Sequence, residues 1–155
     1  MIYLCYLCTK IQEYMKKALL ISTFFLFGFS AIFAQDSNKP FKGRFDNEEY
    51  RVYLVLNLHD QTVKVPGQDL YGELPGYLGK RNNSFCWLIT GCKVKSKTKA
   101  TIELINEYGS EDLEATLTLQ GDTLLTLKQG EGSDIKVPNN GKWQKLPGTL
   151  VFKKK

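Results

Sequence analysis

Tyr50-Arg51-Val52-Tyr53-Leu54-Val55-Leu56-Asn57-Leu58 puts Tyr50, Val52, Leu54, Leu56 and Leu58 on one face of an extended chain, against a mixed face of Arg51, Tyr53, Val55 and Asn57. Alternation with period two marks a strand with one buried side. His59-Asp60 then separates this run from Gln61-Thr62-Val63-Lys64-Val65. That arrangement predicts a hairpin with a two-residue loop, Leu56 opposite Val63 and Leu54 opposite Val65. The loop demands positive φ at His59 and Asp60, residue types that tolerate it better than most.

The same alternation continues outward from this stretch. It predicts strands at Tyr77-Leu78, 84–90, 100–106, 113–119 and 124–129, and a terminal pair at 143–146 and 149–152. Pro66-Gly67, Pro75-Gly76, Pro138-Asn139 and Pro147-Gly148 each follow an apolar residue and break the runs, because proline cannot donate to a ladder. Around Gly121-Asp122 a two-residue turn would oppose Leu119 to Leu124. A shift by one residue instead opposes Leu119 to Leu125 and Leu117 to Leu127, with Thr118 meeting Thr126. Burying leucine is worth roughly 1.5–3 kcal/mol per side chain, so the shifted register is expected. Nothing from Gln35 onward keeps a helical period over three turns. The fold class is therefore all-β, either a small antiparallel barrel or a two-sheet sandwich of seven to nine short strands.

The chain has 155 residues and a net charge of +5. Met15-Lys16-Lys17 supplies a basic start, residues 18–29 an apolar core, and Ser30-Ala31-Ile32-Phe33-Ala34 a small-residue approach to Gln35. That order is a secretory signal peptide over 15–34, cut after Ala34, although Ile32 departs from the small-residue rule. Residues 1–14 read as an upstream extension, with translation starting at Met15, which removes Cys5 and Cys8 from consideration. Residues 35–44 read as a polar leader and 45–155 as one all-β domain. The expected setting is periplasmic or extracellular. No cysteine stands at the cut for a lipid anchor, and no stable membrane anchor is expected.

Candidate chemistry is sparse. His59 is the single histidine, so a multi-histidine metal site cannot be built and a Ser-His-Asp triad would have no other base. No catalytic residue, cofactor or metal is expected. Asp46-Asn47-Glu48-Glu49 and Glu111-Asp112 offer paired carboxylates of the kind a glycosidase needs, yet both read as turns. Cys86 and Cys92 either pair through a chain reversal near Thr90-Gly91 or remain two thiols, since one continuous strand would hold them too far apart. Phe85, Trp87 and Ile89 share a strand face; Trp87 is read either as core or, with Trp143, Tyr53, Tyr71 and Tyr77, as part of an aromatic platform for a sugar ring. Lys93, Lys95, Lys97 and Lys99 alternate with small residues, which reads as a solvated hairpin arm or a charged edge, with polyanion binding as the functional alternative.

The leader Met15-Lys16-Lys17 to Gln35, followed by Tyr108-Gly109-Ser110-Glu111-Asp112 and Lys142-Trp143-Gln144-Lys145-Leu146-Pro147, resembles small secreted all-β proteins of Bacteroides-type gut bacteria. The resemblance implies an envelope or secreted setting and assigns no residue a role. The function expected from the residues is a non-catalytic exported binding module for a glycan, an envelope component or a protein, with nucleic acid an unlikely partner on so mild a charge. The alternative is an inhibitor of a secreted hydrolase, a lysozyme or protease, plugged by a loop such as Gly130-Glu131-Gly132-Ser133-Asp134. A small carboxylate-based hydrolase is the third class.

Overall fold

Alternating burial runs along residues 52–56, 99–106, 112–120, 124–128 and 149–153 of the computed structural model, which describes residues 39–155. The expected signal peptide, the extension before it, and Cys5 and Cys8 lie outside the described residues. The strands are β1 (Lys42–Asn47), β2 (Val52–Asn57), β3 (Val63–Lys64), β4 (Glu73–Leu74), β5 (Gly76–Lys80) and β6 (Cys86–Val94). They continue with β7 (Lys99–Asn106), β8 (Asp112–Gln120), β9 (Leu124–Gly132), β10 (Lys136–Asn139), β11 (Lys142–Lys145) and β12 (Thr149–Lys154). Eight of them close a barrel in the order β1-β12-β9-β8-β7-β6-β5-β2, while β3-β4 and β10-β11 form two small separate sheets. Of the two expected architectures the barrel is the one adopted. It is an antiparallel meander with one insertion between β2 and β5 and another between β9 and β12.

An eight-stranded barrel is just wide enough for side chains to fill, and the inward residues do fill it. Val52, Leu54, Leu78, Trp87, Ile89, Leu104, Leu117, Leu125, Leu127 and Phe152 are all 0% exposed. Ile135, Val137 and Leu146 from the second insertion join the core, as do Phe41 and Leu58. The β8–β9 register is Leu119↔Leu125, Leu117↔Leu127 and Thr118↔Thr126, as the leucine faces require. Leu124, opposite Gln120, is left half-buried on the other face. A second apolar cluster lies on the outside of the wall, where Tyr77, Cys86 and Leu88 are covered by Val65 and Leu74 from the first insertion.

Several expectations are corrected. The tight hairpin at His59-Asp60 does not form: β2 pairs with β5, setting Leu54 opposite Leu78 and Leu56 opposite Gly76. Asn57 redirects the chain, because its Oδ1 accepts from the Asp60 N–H, its Nδ2 donates to Thr62 Oγ1, and its carbonyl accepts from the Gln61 N–H. Positive φ falls at Gln61 rather than at His59 or Asp60. The last two strands do not pair with each other either; β11 pairs with β10, and β12 with β9 and β1. The barrel also begins inside the expected leader, since Phe41 is 1% exposed and β1 starts at Lys42.

Cys86 and Cys92 are free thiols. The register between β6 and β7 slips between Ile89 and Gly91, and this bulge reverses which residues point inward. Cys86 therefore packs in the outer cluster while Cys92 packs against the barrel core. An even spacing that would share a face on a regular strand is split across the wall by the bulge.

Candidate functional site

One end of the barrel carries the turns at 81–85 and 107–111 and the insertion that holds β10 and β11. Three aromatic rings from these segments meet there. Phe85 is buried, with its backbone N–H donating to Asn83 Oδ1 at 2.8 Å. The Trp143 ring meets it edge-on, with centroids 5.0 Å apart at 72°. Tyr108 also meets Phe85, with centroids 5.9 Å apart at 44°. Trp143 is 56% exposed and Tyr108 68%, so large parts of both rings face solvent across a floor made by Phe85.

The polar lining is equally well fixed. Asn106, 4% exposed, knots the turn: its Nδ2 donates to Ser110 Oγ at 3.1 Å and its Oδ1 accepts from the Ser110 N–H at 3.0 Å. Its backbone N–H donates to the Glu111 carbonyl, and its own carbonyl accepts from Gly109 N–H, where φ is +69°. This knot holds Tyr108 out on a rigid turn. Lys136 Nζ donates to Glu111 Oε1 at 2.5 Å, and this bond and the carboxylate charge raise the Lys136 pKa. Phe85, Asn106, Tyr108, Ser110, Glu111, Lys136 and Trp143 enclose a cleft of about 280 Å³.

Of the residues expected to bind ligand, only Trp143 lies in this cleft. Of its two readings Trp87 takes the core one and not the platform: it is 0% exposed, and its Nε1 donates to the Lys136 carbonyl at 2.9 Å, tying β10 to the barrel wall. Tyr53 and Tyr77 stand edge-to-face on the outer wall, 5.9 Å apart at 79°, with the Arg44 guanidinium 3.9 Å from the Tyr53 ring centre. Burial, first, and the neighbouring Tyr53 push the Tyr77 hydroxyl up to about 12. These two line a separate depression of about 270 Å³ with Val65, Pro66 and Cys86. Tyr71 sits beside Leu70 on a short 3-10 turn, Asp69–Tyr71, in the first insertion. Lys93, Lys95, Lys97 and Lys99 are exposed at the tip of the β6–β7 hairpin, at the opposite end of the barrel.

Three of the acids in the expected clusters sit on cations. Asp46 bonds Arg44 and Arg81, Glu48 bonds Arg81, and Glu111 bonds Lys136. Glu103, Asp112, Glu114 and Glu131 line a further open depression of about 340 Å³ on the wall. Among the described residues no group of three or more His, Cys, Asp or Glu is placed to hold a metal ion. The stretch Gly130–Asp134, expected as a loop, is strand over its first three residues, which complete β9. A Cβ at Gly132 would stand 2.5 Å from the Asp112 carbonyl oxygen.

Sequence reading missed Tyr108, Asn106, Ser110 and Lys136. The available signal was Tyr108 itself, an aromatic next to Gly109-Ser110 in a turn, where no strand face can bury it. Comparison with protein-family models, curated proteins and solved structures found no match to this chain.

Proposed function

We propose that this protein is an exported, non-catalytic binding module, acting in the periplasm or outside the cell, and that it holds a glycan in the Phe85–Tyr108–Trp143 cleft. The observation that carries the reading is the pair of half-open rings, Trp143 at 56% and Tyr108 at 68% exposure, held at fixed angles to Phe85. Rings left wet on a rigid frame offer apolar faces to the C–H side of a sugar. Ser110, Glu111 and Lys136 offer donors and acceptors to its hydroxyls. The cleft volume of about 280 Å³ lies at the lower edge of the roughly 300–1,000 Å³ range of small-molecule sites. It suits one or two sugar rings and an affinity near the millimolar range, about −4 kcal/mol.

The test is calorimetric or NMR titration with a panel of neutral and amino-sugar oligosaccharides. Trp143→Ala and Tyr108→Ala are expected to weaken binding by roughly five- to thirtyfold, the equivalent of 1–2 kcal/mol, without moving the melting temperature. Binding that survives both substitutions, or no binding across the panel, refutes the assignment.

A second reading, inhibition of a secreted lysozyme or protease, draws support from the first insertion. Leu70 is 92% exposed there, on a loop whose base is pinned by buried Val65 and Leu74. It predicts inhibition of a hydrolase panel that Leu70→Asp abolishes and Trp143→Ala does not.

A further inference from the structure

From the register of the barrel we infer a second binding surface, for an anionic polysaccharide, on the outer wall of β6 to β9 at the end opposite the aromatic cleft. Cross-strand pairing lines up Lys93↔Thr101, Thr101↔Thr116, Thr116↔Lys128 and Lys128↔Thr149 in one outward row. The next row reads Lys99↔Thr118, Thr118↔Thr126 and Thr126↔Val151. Strands lie about 4.8 Å apart, so Lys93 and Lys128 stand ~14 Å apart with two threonines between them. Lys95 and Lys97 extend the rows beyond the wall at the hairpin tip.

The charge on this surface is uncompensated. Lys93, Lys95, Lys97, Lys99 and Lys128 are all exposed, and among the described residues none has an ion-pair partner. Arg44, Arg81, Lys136 and Lys145, by contrast, each sit on a carboxylate. On these strands and turns, Asp122 lines a small groove with Lys97, and Glu103 and Glu114 face each other one pleat further along the wall. The wall is thus basic toward the lysine tip and acidic toward the aromatic end, which fixes where an anion can lie. Neighbouring ammonium groups of the hairpin lie within the screening length of about 8–10 Å and act together, while Lys128, beyond that length from Lys93, meets a ligand of repeated charge further along its chain.

The two rows carry no aromatic ring on which an unpaired base could stack, and they lie across the broad face of four strands rather than along a single helix or ribbon shaped to a groove of duplex DNA. Threonine hydroxyls between ammonium groups instead match sulfate, carboxylate and sugar hydroxyl groups arranged along a chain.

Heparin is the probe, titrated against the full chain at low and physiological salt, with duplex DNA of equal charge as competitor. Lys93→Gln/Lys95→Gln/Lys97→Gln/Lys99→Gln is expected to weaken heparin binding at least about tenfold and to flatten its dependence on salt, as fewer counterions are released. Lys128→Gln alone is expected to weaken it about two- to fivefold, which a site confined to the hairpin tip would not show. Lys142→Gln/Lys145→Gln, at the aromatic end, serves as the control and leaves binding unchanged. Unaltered heparin binding by the quadruple variant overturns the site. Preference for DNA over heparin in the competition overturns the polysaccharide, and indifference to Lys128→Gln overturns the role of the wall. Each substitution lies on an exposed lysine, so circular dichroism and melting should match wild type.

Discussion

Trp87→Phe separates the supporting role of this side chain from a merely space-filling one. The substitution keeps an aromatic ring in the core but removes the Nε1–H that donates 2.9 Å to the Lys136 carbonyl. An orphaned acceptor costs about 1–3 kcal/mol. The smaller ring also leaves a void of the order of 40 Å³, adding about 1 kcal/mol at ~24 cal/mol per Å³. The sum is about 2–4 kcal/mol, or roughly 8–16 °C for a domain of this size. Urea denaturation followed by circular dichroism measures the global loss, with exposed Trp143→Phe as the control near zero. Trp87 and Trp143 are the only two tryptophans, so in Trp87→Phe the emission reports on the cleft alone. That emission should shift at lower urea than the dichroism does, because β10 and β11 have lost their tie to the wall. A loss under about 0.5 kcal/mol, within the range of ordinary surface substitutions, would refute the anchoring role.

The β8–β9 register predicts that Leu125→Ala costs about 2–5 kcal/mol, whereas Leu124→Ala, on the outer face, costs under about 1 kcal/mol by the same denaturation assay. Burial opposes ionisation of Asp46, but bonds from Arg44 and Arg81 outweigh it and hold its pKa below the ordinary 3.8. A depressed folded-state value means stability that is complete above the unfolded pKa and lost as pH falls through the folded one. Asp46→Asn should therefore be less stable than wild type at neutral pH, and the gap should close as the melting series is taken below pH 3.8. Burial raises the Cys86 thiol to about 11 and also raises Cys92. Neither should react readily with a thiol reagent at mildly alkaline pH until the protein unfolds, and the melting temperature should be the same with and without reductant.

The strands readable from sequence are those whose inward face is an unbroken apolar series, such as Ala100, Ile102 and Leu104 or Leu113, Ala115, Leu117 and Leu119. Lys42–Asn47 and Lys136–Asn139 were not readable as strands, because each holds a single aliphatic or aromatic residue, Phe45 or Val137. Their strand state comes from neighbours rather than from local pattern. The pairing of β2 failed for a related reason: a nearby partner, Val63 to Val65, looked sufficient. Side-chain bonding by Asn57 carries the chain past it into an insertion and leaves the pairing to β5. A bulge is equally invisible: of the two readings for Cys86 and Cys92 the pair of free thiols holds, but their placement on opposite sides of the wall could not be read. The cleft gathers positions 85, 108 and 143, whose proximity depends on barrel closure, and only Trp143 could be named beforehand.

Seven of the eight joints in the barrel wall link strands that follow one another along the chain, counting across the insertions; the eighth joins β1 to β12. That joint is brief, with Phe45↔Lys154 and Asp46↔Lys153 as its register. It is helped by Asn47 Nδ2 donating to the Val151 carbonyl and by Lys155 N–H donating to the Arg44 carbonyl. Contacts between residues so distant along the chain carry the largest loop-closure cost, so a meander assembles first and its ends zip last. Until they do, β1 and β12 each present an unpaired ladder to any other copy that is also still open. Refolding yield should therefore fall with protein concentration even though every native hairpin is local. Weakening the clasp by Asn47→Ala should steepen that fall, because the time spent as an open sheet, rather than the depth of the folded well, governs how many chains are lost to one another.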